Sequence, residues 1–202
     1  MIKTLIFDFG DVFINLDKTA PGKGLKTFGI NQLSKDMEAI NQAYEMGLVS
    51  SYTLMEFYLE QIPKAKTTDL MNIWNSILLD FPLHRLEFLK KLREENKFQL
   101  FLLSNTNELH IDSVKENISF YEDFKACFDK FYLSYEIGFR KPNADIYEFV
   151  LQDNNLTPEK CFFIDDTEEN TITAEKLGIK SWNINPLNDD VSELFIKNSN
   201  IF

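Results

Sequence analysis

The sequence predicts an α/β fold: a parallel sheet covered by helices on both faces, with a block of helices inserted after the first strand. Three observations predict it. Short runs that are apolar throughout, at residues 5–7, 100–103 and 161–164, suit strands buried on both faces, because a half-exposed strand would alternate with polar residues. From Leu83 onward, helix-periodic segments separate these runs, and such alternation implies right-handed crossovers between parallel strands. Residues 17–81, by contrast, carry helical spacing only.

The first strand, Thr4-Leu5-Ile6-Phe7, breaks into Asp8, Gly10 and Asp11, so Asp8 is expected at the strand's C-terminal edge, where open parallel sheets bind ligands. Ser34 is placed to cap a helix with Met37, Ile40, Ala43 and Tyr44 on its apolar face, and Gly47 is placed to end it. A second helix, capped by Ser50 or by Thr53 with Glu56, carries Leu54, Phe57 and Tyr58 and stops at Pro63. A third follows Thr67, Thr68 and Asp69, carries Leu70, Ile73, Trp74 and Ile77, and ends before Pro82. A helix over 84–95 then leads to a strand over 98–103 that ends in Ser104-Asn105. A helix-like stretch precedes a strand over 130–134 and a loop with Gly138, Arg140, Lys141 and Pro142. Asn143 is placed to cap a helix bearing Ile146, Phe149 and Val150. The run at 161–164 ends in Asp165-Asp166, and a helix over 167–177 with Gly178 as its cap leads to a last strand over 180–184.

At 202 residues the chain is long enough for one large domain or a domain with an insert. Its 44% hydrophobic and 26% charged content excludes disorder. A formal charge of -11 argues against a nucleic-acid or anionic-membrane partner, since phosphate backbones require a basic face. Cys127 and Cys161 lack metal-binding spacing and read as reduced core thiols. With neither a signal-peptide pattern nor a run of membrane-spanning length, a cytoplasmic protein is expected. Monomer and homodimer are both compatible with the sequence.

Four strand ends would share one crevice: Asp8, Ser104-Asn105, Lys141 on the third loop, and Asp165-Asp166. Together they supply a carboxylate nucleophile, hydroxyl and amide donors, a cation and a carboxylate pair. Phosphoryl transfer uses those parts, because its transition state is stabilised by positioning and charge neutralisation. Asp8, the Gly10 carbonyl and Asp166 are the oxygen ligands that magnesium favours, with Asp165 assisting the metal site from behind them or through a water. Ser104, Asn105 and Lys141 would hold phosphate oxygens, helped by a helix beginning after Ser104.

These segments resemble the haloacid dehalogenase (HAD) superfamily over nearly the whole chain. The matching pieces are Ile6-Phe7-Asp8-Phe9-Gly10, Leu103-Ser104-Asn105, Arg140-Lys141-Pro142, and Ile164-Asp165-Asp166 with Glu169-Asn170. The stretches 103–110 and 138–142 look like a capped bacterial subgroup that includes an α-glucose-1-phosphatase. The resemblance implies a Rossmann-like catalytic core made of residues 1–16 and 82–202, and a helical cap over 17–81. It implies a Mg2+-dependent phosphatase acting on a small phosphorylated metabolite, for instance a sugar phosphate, through an aspartyl-phosphate on Asp8.

One position departs from the pattern. The family's second motif carboxylate, which moves the proton of the leaving group, is replaced by Gly10. A positioned acid or base contributes about 10²–10⁴-fold, so the loss bears on rate and substrate. Three readings follow: a phosphatase, either for good leaving groups such as an anomeric sugar oxygen or with Asp11 or His110 carrying the proton instead; a metal-independent 2-haloacid dehalogenase, against which the Asp165-Asp166 pair argues; and a catalytically weak binding or regulatory protein.

Overall fold

In chain order the strands are β1 (Thr4–Phe7), β2 (Gln99–Ser104), β3 (Lys130–Leu133), β4 (Cys161–Asp165) and β5 (Lys180–Asn183). The computed structural model describes residues 1–202 and joins them into one parallel sheet of order β3-β2-β1-β4-β5. Phe7 stands level with Leu102 of β2 and Ile164 of β4, so the three central strands reach the C-terminal edge in step. Alternate residues feed two separate cores: Leu5, Phe7, Leu100, Leu102, Phe162 and Ile164 point to one face, and Ile6, Phe101, Leu103 and Phe163 to the other. This is the Rossmann-like α/β arrangement that the apolar runs predict.

Between β1 and β2 come α1 (Ala20–Thr27), α2 (Lys35–Glu45), α3 (Ser51–Gln61), α4 (Thr67–Asn75) and α5 (Leu83–Glu95). Between β2 and β3 lie α6 (Glu108–Asn117) and α7 (Tyr121–Ala126), and α8 (Ser134–Ile137) and α9 (Ala144–Asp153) precede β4. Then α10 (Glu168–Lys176) precedes β5, and α11 (Leu194–Lys197) follows it. Helices α5, α6 and α7 cover one face of the sheet through Leu89, Ile111 and Phe124, and α9 and α10 cover the other through Ile146, Val150 and Ala174.

Helices α1 to α4 build a core of their own, around Leu54, Tyr58, Leu70 and Ile73. The chain enters and leaves this block through a two-stranded neck, in which Asn15 and Asp17 share three backbone hydrogen bonds with Ile77, Leu79 and Asp80. The neck explains one departure from the sequence reading: α4, the third helix expected in the block, stops at Asn75, well short of Pro82, because the next residues pair with the incoming strand. A second departure is α1, which the sequence pattern hides. Its segment APGKGLKT carries one proline and two glycines, and only packing of Leu25 into the block's core outweighs their low helix propensity. The Ser34 and Ser50 caps form as expected, accepting from Met37 N and Thr53 N.

The loop after β1 is anchored by apolar residues. Phe9, Val12, Phe13 and Ile14 are all buried, and Phe9 and Phe13 pack on Phe124 at ring distances of 5.3 and 5.0 Å. A loop held this way fixes the positions of Asp8 and Gly10 with the rigidity of the core.

Candidate active site

Lys141 sits at the centre of the sheet edge, 1% exposed. Its ammonium donates to Asp8 Oδ1 at 2.8 Å, to Asp165 Oδ2 at 2.6 Å and to the Leu103 carbonyl at 2.8 Å, so all three of its protons are used. Burial works against its charge, yet Asp165 and Asp8 hold the ammonium above the ordinary lysine range. The backbone of Lys141 is clamped as well: Asn105 Oδ1 accepts from its N–H and Asn105 Nδ2 donates to its carbonyl, both at 2.8 Å. The tip of β2 thereby fixes the third loop, even though Lys141 and Asn105 lie far apart in sequence.

Asp8, Gly10, Asn105, Lys141 and Asp166 share the wall of a chamber of about 320 Å³. Ser104 and Asp165 are buried beside two of these residues, Ser104 next to Asn105 and Asp165 against Lys141. The Ser104 hydroxyl reaches only the Asn105 carbonyl, at 3.5 Å, which is the outer limit of a hydrogen bond and leaves its donor free for another partner. The helix expected directly after Ser104 starts later, at Glu108, with Asn107 as its cap; Ser134 holds the intervening loop by accepting from Thr106 N and donating to Thr106 O.

Three carboxylates converge here, with one oxygen each of Asp8, Asp165 and Asp166 lying within 4.8 Å of one another. Their partners differ. Asp165 is fully buried, and its oxygens take Lys141, the Thr167 amide and the Asn170 side chain. The sequence places Asp165 behind the metal ligands or linked to the metal through a water; here its oxygens brace Lys141 and Asn170 from behind. Asp8 Oδ2 and Asp166 Oδ1 carry no protein partner, and the Gly10 carbonyl accepts no backbone hydrogen bond. That leaves three oxygens in the chamber wall suited to a hard cation. Burial pushes the Asp8 carboxyl up to about 7, with Lys141 pulling it down and Asp165 and Asp166 adding to the rise. Burial also raises Asp166. Two carboxylates destabilised in this way favour a divalent cation between them.

Lys18 was not singled out in the sequence. Its ammonium binds Asp166 and lies 3.0 Å from Asp11 Oδ2, half exposed at the chamber's rim. Asp11 adopts φ 55°, and its Oδ1 accepts from Leu16 N at 3.0 Å, so both its oxygens belong to the turn. His110 is committed too: Nδ1 faces the Asn107 amide at 3.1 Å, and Nε2 donates to the Trp74 carbonyl at 3.1 Å. Burial lowers its pKa to about 4, against the pull of that carbonyl. Neither residue is free to carry a leaving-group proton. At Gly10, an added Cβ would meet Leu16 Cδ1 at 2.7 Å, so a longer side chain there needs the tip of Leu16 to turn aside.

Helices α1 to α4 roof a second cavity of about 580 Å³. Asn31, Gln32, Asn41, Tyr44 and Trp74 line it, Asn107 and His110 of the core form part of its wall, and Lys18 and Glu45 belong to both cavities. The roof is fastened by polar contacts: Arg140 to Glu45 at 3.0 Å, Ser51 to Glu108, and His110 to Trp74.

Comparison with known proteins gives consistent relatives. A family model described as haloacid dehalogenase-like hydrolase matches residues 2–178. The D-ribitol-5-phosphate phosphatase of Bacteroides thetaiotaomicron is 25% identical over 190 residues, covering 90% of this chain and 91% of that protein. A HAD family enzyme of the same organism, solved as a magnesium complex, superposes with a TM-score of 0.85 at 36% identity over 96% of this chain and 98% of that one. Its wild-type form has also been solved with magnesium and inorganic phosphate, with a TM-score of 0.83, 35% identity, and coverage of 96% of this chain and 100% of that one. A HAD-like hydrolase from Porphyromonas gingivalis gives a TM-score of 0.79 at 27% identity, over 99% and 97% of the two chains.

Proposed function

The chain belongs to the haloacid dehalogenase-like hydrolases, and from that premise we propose that it is a magnesium-dependent phosphatase of small polyol or sugar phosphates, with Asp8 as nucleophile. One observation carries the reading: Lys141 grips one oxygen of Asp8 while the other faces a chamber bounded by Asp166 and the Gly10 carbonyl. In the proposal Asp8, Gly10 and Asp166 would hold magnesium, which would neutralise charge on the phosphate and on the carboxylates. Lys141, with its three protons committed to Asp8, Asp165 and Leu103, supplies positive charge beside the phosphoryl group, and the second side-chain N–H of Asn105 and the Ser104 hydroxyl are the donors left to orient its oxygens. Asp8 Oδ2 attacks phosphorus, the ester oxygen leaves, and water later cleaves the aspartyl-phosphate. Asp165 keeps Lys141 charged and in place throughout.

The substrate class rests on the second cavity. Its amide side chains and aromatic wall suit a chain of hydroxylated carbons, and the ribitol-phosphate phosphatase relative acts on such a compound. Residues 17–81 serve as the cap over a core of 1–16 and 82–202, closing over the organic part of the substrate and excluding water. No helix is long and apolar enough to cross a membrane, and the two free buried cysteines fit a reducing compartment, so the proposed location is the cytoplasm.

The test is a hydrolysis panel of sugar, polyol, nucleotide and small-acid phosphates, with magnesium and with EDTA, run beside Asp8→Asn. Magnesium-dependent turnover that Asp8→Asn removes by at least about 10³-fold is expected. Turnover that survives the substitution overturns the mechanism, and chloride release from 2-haloacids in EDTA would make the chain a dehalogenase.

A further inference from the structure

With Gly10 in place of a carboxylate, and with Asp11 and His110 committed elsewhere, the site needs another group at the leaving oxygen. That oxygen joins the phosphate to the organic part, so it must lie where the two cavities meet. Lys18 and Glu45 are the residues common to both walls. The Lys18 ammonium is committed to Asp166 and to Asp11. Glu45 is placed differently. Both Arg140 contacts, from Nε and from Nη2 at 3.0 Å, fall on Oε2. Oε1 carries no hydrogen bond, and the side chain is one-third exposed.

Resting on the phosphatase reading above, we infer that Glu45, at the end of α2, is the general acid and base of this enzyme. In the first step Asp8 Oδ2 forms the bond to phosphorus, the P–O bond to the alcohol breaks, and the Glu45 proton goes to the departing oxygen. In the second step water attacks the aspartyl-phosphate and gives its proton to the Glu45 carboxylate, the Asp8–phosphorus bond breaks, and inorganic phosphate leaves. Each turnover thus returns Glu45 to its protonated form. Burial pushes the Glu45 carboxyl above the ordinary carboxylate range against the pull of Arg140, in the direction a general acid needs. Arg140 from the loop before α9 and Lys18 from the loop after β1 are the charged groups that flank it. Because α2 belongs to the helical block, the proton donor arrives only when the block is seated on the core.

The test uses the full chain with magnesium, comparing wild type with Glu45→Gln on ribitol 5-phosphate and on p-nitrophenyl phosphate. In single-turnover experiments the variant should release ribitol at least about a hundredfold more slowly. p-Nitrophenolate, a leaving group that needs no proton, should still appear as a burst of one equivalent, followed by slow turnover as the aspartyl-phosphate accumulates. Equal slowing of both esters without a burst, or unchanged ribitol release, overturns the role of Glu45. Wild type alone provides a second measurement, independent of how the variant folds: across alkyl phosphates of graded leaving-group acidity, first-step rates should vary little, and a steep dependence overturns the inference. Absence of turnover by wild type on every ester, or its survival in Asp8→Asn, would instead overturn the phosphatase reading.

Discussion

The sheet edge and the helical block solve different problems. At the sheet edge every buried charge is met by another group: Lys141 by Asp8, Asp165 and a carbonyl, and Asp165 by Lys141, Asn170 and an amide. The helical block has its own apolar core, and it meets the sheet domain through a short neck and separate polar contacts at Glu45, Ser51 and Trp74. Cutting one contact of the edge cage leaves buried charge without a partner, whereas cutting one contact of the seam leaves the rest standing. On the proposed reading the nucleophile and the phosphate-binding groups sit in the caged part, whereas Glu45 and the groups that meet the organic half of the substrate sit in the separable part.

Lys141→Met attacks the cage where it is densest. Removing the cation strands the Asp8 and Asp165 carboxylates, and a loss of about 3–5 kcal/mol in urea unfolding is expected together with loss of turnover; a variant as stable as wild type would refute the cage. Leu54→Ala does the same to the block's apolar core. Leu54 is 0% exposed, and a cost of about 3 kcal/mol is expected, seen in hydrogen exchange as lost protection over α1 to α4 with the sheet strands unchanged. Equal loss of protection in both regions would show that they unfold as one unit.

Gly10→Asp probes the loop between the two regions. Forcing a side chain against Leu16 should cost about 1–3 kcal/mol, read as a lowered Tm, and Leu16→Ala in the same chain should recover part of it. The smallest effect is that of acid on the seam. Burial holds His110 down at about 4, below the ordinary imidazole range, so the folded state favours the neutral ring. Its contribution is fully present above about pH 6.5 and falls as pH drops towards 4, costing about 1 kcal/mol at pH 5.5. His110→Gln should remove that part of the pH dependence.

The edge was legible in the sequence because strand ends in a parallel sheet converge: apolar runs locate the strands, and whatever follows each run shares the crevice. On that basis Asp8, Asn105, Lys141 and Asp166 are expected around one crevice, and the structure brings them to the wall of one chamber; the main helices with their Ser34 and Ser50 caps are legible as well. What the residues do to each other was less legible. Asp165 and Asp166 look equivalent in sequence, and only the placement of Lys141 and Asn170 separates a brace from an open carboxylate. Lys18 and Glu45 carried no local signal, since their roles depend on how the block seats on the sheet, and α1 was hidden by its glycines and proline.

The contact between Gly10 and Leu16 also bears on genetic change. A carboxylate introduced at position 10 arrives against the tip of the Leu16 side chain, so it is accommodated only as that side chain turns away. A smaller residue at 16 would open the space but give up the packing of Leu16 against the core. The two positions are therefore coupled: the cost of an acid at 10 depends on the side chain at 16, and paired variation is what measures that dependence.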